Sequence, residues 1–373
     1  MKLTIERAAL LKALAHVQSV VERRNTIPIL SNALLEARDG ALRVTATDMD
    51  LAVVEKVPAQ VSQEGATTVP AHTIYDVVRK LPEGAQIEIG TGKDEGRIEL
   101  RSGRSRLSLA ALPSADFPVM TDGDTPHGFT VAMADLRTLI DRTQFAVSTE
   151  ETRYYLNGIY LHAATTEEGG TPVLRAVATD GHRLARVEIP LPEGAAGMPG
   201  VIVPRKTVGE IRKLIEEGGD VAVSLSETKI RFALDDVVLT SKLIDGTFPD
   251  YRRVIPSNND KALEVECEPF AHAVDLVSTI STEKSRAVKL TLGKGSLVLS
   301  ATSPDAGSAT EELEVGYSAE ALEIGFNSRY LLDITRQIGG RSALFMLADA
   351  ASPTLVRDVS DPSAVYVLMP MRV

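Results

Sequence analysis

Asp180, His182 and Arg183 place a carboxylate, an imidazole and a guanidinium within four consecutive positions, with Gly181 between acid and imidazole. These are residue types that general acid-base chemistry uses, and glycine permits the sharp turn that would bring them together. The surrounding stretch, Val173 to Ile189 (VLRAVATDGHRLARVEI), carries apolar, alternating runs on both sides of the Asp-Gly pair. That pattern reads as a β-hairpin with the charged cluster at its tip. One reading is a hydrolase centred on Asp180 and His182. The other is a turn whose histidine and arginine rim a binding pocket.

The elements that position this hairpin recur along the chain. A short strand running into an amphipathic helix opens it (KLTIERAALLKALAHV), returns near Phe129 (FTVAMADLRTLIDRTQF) and again near Leu263 (LEVECEPFAHAVDLVSTI). Apolar anchors at Leu10, Leu14 and Val17, at Leu136 and Ile140, and at Phe270, Val274 and Val277 mark one buried helix face in each. The hairpin has a counterpart in ALRVTATDMDLAVVEKV from Ala41, and a looser one in SLVLSATSPDAGSATEELEV from Ser296. A third unit runs a strand into a helix closed by glycine: TVPAHTIYDVVRKLPEG, VIVPRKTVGEIRKLIEEG and EIGFNSRYLLDITRQIGG. Its anchors share one spacing, Ile74, Val77, Leu81, then Val208, Ile211, Ile215, then Leu331, Ile334, Ile338. Five positions after each first anchor stands a base, Arg79, Lys213 and Arg336, which helical geometry turns away from the core. A fourth, alternating β unit closes each repeat. Clusters of Pro, Gly, Asp and Asn near Thr125 and Ile255 mark the breaks. The fold class is α+β, with three repeated domains over residues 1–125, 126–255 and 256–373, each holding two helices and about eight strands.

Composition narrows the function. With 373 residues at 44% hydrophobic content, each repeat has enough apolar material for its own core. Charges interrupt the amino-terminal segment every few residues, and no run is long enough to span a membrane, so a cytoplasmic protein without membrane partners is expected. The single cysteine, Cys267, excludes a disulfide framework, and six scattered histidines give no metal site and no cofactor. A net charge of −11 argues against non-specific coating of nucleic acid while leaving room for a locally basic surface.

An enzyme concentrates its machinery in one copy. Here Asp180 has a counterpart in Asp48 whereas His182 has none, and neither a GxSxG elbow nor a phosphate-cradling glycine motif occurs. The turn-and-pocket reading therefore prevails, and no catalytic residue is expected. The carboxyl-terminal run VYVLMPMRV is apolar almost to its end, with methionines suited to a pocket that accepts several related peptides.

Five segments, RYYLNG from Arg153, ATDGHRLA from Ala178, VPRK from Val203, SKLIDGTFPDYRRV from Ser241 and the terminal MPMR, closely resemble the bacterial β sliding clamps, the processivity subunits of replicative DNA polymerase III. The resemblance covers the whole chain. It implies three clamp domains per chain, assembled head to tail as a homodimeric six-domain ring around duplex DNA, with helices lining the hole and sheets outside. Such contacts are weak and sequence-independent, while topology prevents escape.

Carried over singly, the resemblance puts Arg24, His72, Arg153, Tyr154, Tyr155, Arg205 and Lys206 near DNA, beside the repeated bases Arg79, Lys213 and Arg336. Two positions depart from the family pattern: His72 stands where a stronger base can occur, and Glu150 adds a carboxylate just before Arg153. A groove for a short linear peptide is implied at Leu156, Thr179, Gly181, His182, Arg183, Leu184, Pro249, Arg253, Val254, Val367, Met369, Pro370, Met371 and Arg372. Its partners would be the polymerase catalytic subunit, the clamp loader, other polymerases and repair factors. Dimer contacts are expected from Arg104, Arg106 and Leu107 in the first domain against Glu311, Glu312 and Glu314 in the third, with Ile280 beside them. The alternative is a repeat-built peptide-binding scaffold that does not encircle DNA.

Overall fold

The computed structural model describes residues 1–91, 96–120, 123–167, 169–281 and 286–373. Among them are six α-helices, two in each sequence repeat: α1 (Arg7–Gln18), α2 (Ala71–Lys80), α3 (Met133–Asp141), α4 (Arg205–Leu214), α5 (Cys267–Ser278) and α6 (Ser328–Thr335). Their apolar spacing explains them. α1 buries Leu10, Ala13, Leu14 and Val17, and α5 buries Phe270, Ala273, Val274 and Val277, each a single stripe along the helix. Side chains close two amino termini: Glu6 accepts from the Ala9 amide at 3.0 Å, and Asn327 from the Arg329 amide at 3.0 Å.

Two expectations for the third-unit helices need correction. α2 buries Ala71, Ile74 and Val78, not Val77 and Leu81, because the helix stops at Lys80 and Leu81 is already extended. Nor does glycine cap these helices. Gly84, Gly218 and Gly339 lie four residues past their ends, in the turns leading to the next strand.

The chain forms two compact units. One comprises Met1–Ala134, Pro192–Pro199 and Lys206–Leu243; the other comprises Asp135–Leu191, Gly200–Arg205 and Ile244–Val373. The middle sequence repeat is thus divided between them, and sheet pairing is the reason. In the first unit, Val237–Lys242 of the second repeat pairs antiparallel with Leu51–Pro58 of the first, with Leu239 opposite Val53, which makes one eight-stranded sheet. In the second unit, Arg183–Pro190 pairs antiparallel with Ala364–Leu368 of the third repeat, with Ala185 opposite Tyr366, inside a nine-stranded sheet. Each joint converts two edge strands into inner ones and satisfies their backbone groups.

Each unit also holds a smaller sheet. The first has a five-stranded sheet ending at Ser105–Ala110, and the second a four-stranded sheet ending at Gly307–Glu314. In the first unit α1 lies beside α2, and in the second α5 lies beside α6.

Candidate docking pocket and basic helix faces

The Asp180 hairpin is built by its own turn. Asp180 Oδ1 accepts the amides of His182 (2.9 Å) and Arg183 (3.0 Å), and Thr179 Oγ1 donates to the Arg183 carbonyl at 2.8 Å. Gly181 has φ +88°, a backbone conformation that favours glycine, and a Cβ there would stand 2.5 Å from Arg153 Nη1, the far end of a side chain that would have to shift. With Oδ2 also accepting from Arg183 Nε at 3.1 Å, Asp180 is fully engaged as a turn residue. The hydrolase reading loses its base.

Arg183, expected at a pocket rim, is buried instead. Its Nη1 donates to Asp333 Oδ2 on α6 at 2.6 Å and its Nη2 to the Phe145 carbonyl at 2.6 Å. The guanidinium also lies 4.3 Å from the Tyr330 ring centroid and 5.1 Å from that of Phe145. It acts as a strut between the hairpin and α6. His182 is exposed beside it, its ring 6.4 Å from Tyr330, and its carbonyl accepts the Met369 amide at 2.9 Å.

Beneath the hairpin lies an apolar cluster of Leu156, Val177, Leu184, Ile202, Phe248, Tyr251, Leu355, Val365 and Val367, with Tyr155, Tyr160, Ile244, Ile255 and Met346 packed against it. Leu156, Leu184 and Val367 were legible in the sequence. The others were not: Val177, Ile202, Leu355 and Val365 sit on strands that read as ordinary core, and Phe248 and Tyr251 sit in a segment without periodicity. Pro249, Arg253, Val254 and Met369 are exposed, the guanidinium of Arg253 pairing with Asp250 at 3.0 Å. After Met369 the chain turns aside: the Met371 amide donates to the Gly325 carbonyl at 2.9 Å. A Cβ on Gly325 would collide with Val373 Cγ1 at 2.4 Å, so glycine there admits the terminus. Met371, expected as pocket wall, therefore lies on the Leu322–Asn327 strand with Pro370 half-buried and Arg372 exposed.

A buried polar chain underlies the cluster. Arg175, 2% exposed, donates from Nε to Glu188 Oε1 at 2.7 Å and from Nη1 to the Tyr251 hydroxyl at 2.9 Å. The same hydroxyl lies 3.1 Å from His162 Nε2, while His162 Nδ1 lies 3.0 Å from the Ala163 carbonyl. Because that carbonyl can only accept, Nδ1 carries the proton, and Tyr251 donates to Nε2 while accepting from Arg175.

The repeated bases project outward as the helical spacing requires. Arg79, Lys213 and Arg336 have side chains 55%, 56% and 69% exposed. Each stands near an acid three residues earlier: Asp76 at 3.2 Å, Glu210 at 2.8 Å and Asp333 at 3.8 Å. The Arg79–Asp76 pair is exposed on both sides and holds weakly, worth about 0–1 kcal/mol, whereas Glu210 and Asp333 are shielded at 9% and 17% and only their bases reach solvent. Arg24, Arg205 and Tyr154 are exposed too, with Tyr155 edge-on to Tyr154 at 5.8 Å.

Three further expected DNA positions have partners within the chain. Lys206 pairs with Asp48, and Arg153 Nε with Glu150 at 2.8 Å. His72 sits between Gln18 Oε1 (2.8 Å) and the Val21 carbonyl (2.9 Å).

At the two far sheet edges, Arg104 and Arg106 are exposed with Leu107 half-buried, and Glu312 and Glu314 are exposed with Glu311 half-buried. Ile280, half-buried, follows α5, on which Leu276 is 48% exposed, an apolar surface residue that periodicity alone did not flag. Among the described residues no cluster of His, Cys, Asp or Glu suits a metal ion, and no helix is long and apolar enough to cross a membrane.

Comparison with known proteins accounts for this arrangement. Models of the N-terminal, central and C-terminal domains of the DNA polymerase III beta subunit match residues 1–121, 130–250 and 252–372. The beta sliding clamp of Caulobacter vibrioides is 56% identical over 374 residues, and that of Escherichia coli K12 is 42% identical over 375, each alignment covering all of both chains. A crystal structure of the Caulobacter crescentus clamp superposes with a TM-score of 0.97 over the whole chain and 99% of its own at 56% identity. The Bartonella birtlesii clamp bound to griselimycin does so at 0.96 over all of both chains and 52% identity. The chain thus belongs to the bacterial DNA polymerase III beta subunit family, the sliding clamps that encircle DNA and tether polymerase and repair proteins.

Proposed function

We propose that two copies of this chain close head to tail into a six-domain ring, the Ser105–Ala110 edge of one copy pairing with the Gly307–Glu314 edge of the other. One observation carries the proposal. The first and second repeats are joined through Leu51–Pro58 and Val237–Lys242, and the second and third through Arg183–Pro190 and Ala364–Leu368. Gly307–Glu314 stands in the third repeat where Leu51–Pro58 and Arg183–Pro190 stand in theirs, and Ser105–Ala110 stands in the first where the other joint strands do. The same joint is thus made twice within the chain and left open once. Arg104 and Arg106 on one edge and Glu311, Glu312 and Glu314 on the other supply opposite charge, while Leu107, Leu276 and Ile280 supply apolar area. The three repeats divide near residues 125 and 255.

Within the ring, Arg79, Lys213, Arg336, Arg24 and Arg205 face duplex phosphate, and the acidic remainder of the chain disfavours DNA on the outer surface. The cluster around Leu156, Leu184 and Val367, rimmed by His182, Pro249, Val254 and Met369, takes an apolar linear peptide. The polymerase catalytic subunit, the clamp loader and repair factors compete for it.

Retention on DNA tests the ring. Protein loaded onto a nicked circle stays bound through gel filtration and is lost once the circle is linearised. Equal retention on both would leave only the scaffold alternative. The pocket is tested with griselimycin: His182→Ala weakens its binding and leaves retention on circular DNA unchanged.

A further inference from the structure

The segment that carries Pro249, Arg253 and Val254 has little regular structure of its own, a single 3-10 turn over Tyr251–Val254. Two aromatic rings fix it from below. Phe248 stacks on Tyr160 with ring centroids 4.9 Å apart and planes 8° from parallel, and Tyr160 stacks in turn on His162 at 4.6 Å. Tyr251 puts its ring into the apolar cluster and its hydroxyl between His162 and Arg175. Both sides of Pro249 are therefore tied to the strands Gly158–Thr165 and Pro172–Thr179.

We infer that His162, Arg175 and Tyr251 are positioning residues for the docking pocket, an anchor that holds the Phe248–Val254 segment in one placement and so sets the pocket's affinity for peptide. The inference rests on the pocket reading above. An all-apolar contact would let the segment slide, because hydrophobic packing is not directional. A buried hydroxyl bonded on both sides has one place to sit, and displacing it strands a guanidinium and an imidazole nitrogen in low dielectric. Glu188 balances the Arg175 charge, so the chain is neutral overall and fully paired along its length.

The anchor has an acid limit. Facing His162 are Tyr160 on its own strand, Arg175 on the next, and Tyr251 and Arg252 on the turn, with Glu188 reached through Arg175. Burial foremost, then the Arg175 and Arg252 cations, hold its pKa below the ordinary histidine value despite the Ala163 bond. Protonation would give Nε2 a hydrogen and remove the acceptor that Tyr251 uses. The neutral ring is kept at neutral pH and given up only in acid.

Griselimycin binding to the full chain, measured by calorimetry at pH 7.5 and over a series of lower pH values, tests the anchor. Tyr251→Phe keeps the ring, removes the hydroxyl, and is expected to weaken binding about tenfold at pH 7.5 with retention on circular DNA unchanged. In the unsubstituted protein binding is expected to hold as pH falls through the ordinary histidine range and to weaken below it. The same acid response should persist in His182→Gln, whatever its affinity, and vanish in His162→Gln, whose amide accepts from Tyr251 and does not titrate. Wild-type affinity in Tyr251→Phe, or an unchanged acid response in His162→Gln, would overturn the inference. Failure of the unsubstituted protein to bind griselimycin would instead remove the pocket reading, and the inference with it.

Discussion

Asp48 and Asp180 make the same hydrogen bonds in two different repeats: Asp48 Oδ1 accepts the amides of Asp50 and Leu51, as Asp180 Oδ1 accepts those of His182 and Arg183. Thr47 and Thr179 repeat the match, each donating to the carbonyl four residues on at 2.8 Å. A side chain used identically where no histidine follows is a turn residue. What the second repeat adds is His182, and Arg183 in place of Leu51.

The shared turn demands a positive φ at its second position, supplied by Gly181 at +88° but by Met49 at +78° in the first repeat. Holding a non-glycine residue there costs about 1–2 kcal/mol, against about 0.4–1 kcal/mol of unfolded-state entropy that glycine adds. Met49→Gly should therefore stabilise the protein by about 0.5–1 kcal/mol, read as a raised thermal midpoint. Gly181→Ala in the same turn should lower it, since alanine is strained at φ +88°.

Much of this was legible in the sequence where periodicity reports burial directly. The threefold repeat, the six helices and the outward bases Arg79, Lys213 and Arg336 follow from spacing alone. The pocket floor was hidden because Val177, Ile202 and Leu355 read as ordinary inner-strand residues, and Leu355 joins the hairpin only through the pairing of Ala364–Leu368 across repeats. The fate of Arg183 was hidden for a related reason: its partner Asp333 is 150 residues away. The acids Asp76, Glu210 and Asp333 were in plain view, three residues before each base, but a solvated helix face gives such pairs no distinguishing pattern.

The Arg183 and Asp333 pair makes a prediction about stability. Both side chains are largely shielded, at 8% and 17% exposure, but Arg183 keeps Asp180 as a second partner when Asp333 is removed. Asp333→Ala should therefore cost about 2 kcal/mol, the loss of one charge-assisted hydrogen bond, and Arg183→Met with Asp333→Leu should cost less than the sum of the two single changes. A double-mutant cycle by urea unfolding checks this, and additive losses would mean the pair is not coupled.

Cys267 predicts a chemical inertness. Burial, with the nearby Asp358 carboxylate, pushes its thiol up to about 11. At pH 8 the thiolate is then about one part in a thousand, against about a quarter for a free cysteine of pKa ~8.5. Alkylation by iodoacetamide at pH 8 should run about a hundredfold slower than that of glutathione. Because the folded pKa is raised, the stabilisation is complete below the unfolded value and is lost as pH climbs through about 11, so alkaline unfolding should expose the thiol to reagent.

The outward bases give the prediction closest to function. Each stands near an acid three residues earlier, whose charge competes with phosphate for the base. Changing Arg79, Lys213 and Arg336 together to Glu should reduce loading and flatten its dependence on salt, by about 0.9 in the logarithmic slope for every phosphate no longer neutralised. The dimer should remain intact, since none of the three lies on either open sheet edge. The converse change is the sharper test. Asp76→Asn with Glu210→Gln releases two of the bases without altering the hydrogen-bonding shape of their neighbours, and Glu210 keeps an acceptor for Ser19. That variant should hold circular DNA more firmly at low salt and show a steeper slope. Retention unchanged in both variants would place the bases away from DNA and leave the hole to be lined by Arg24 and Arg205.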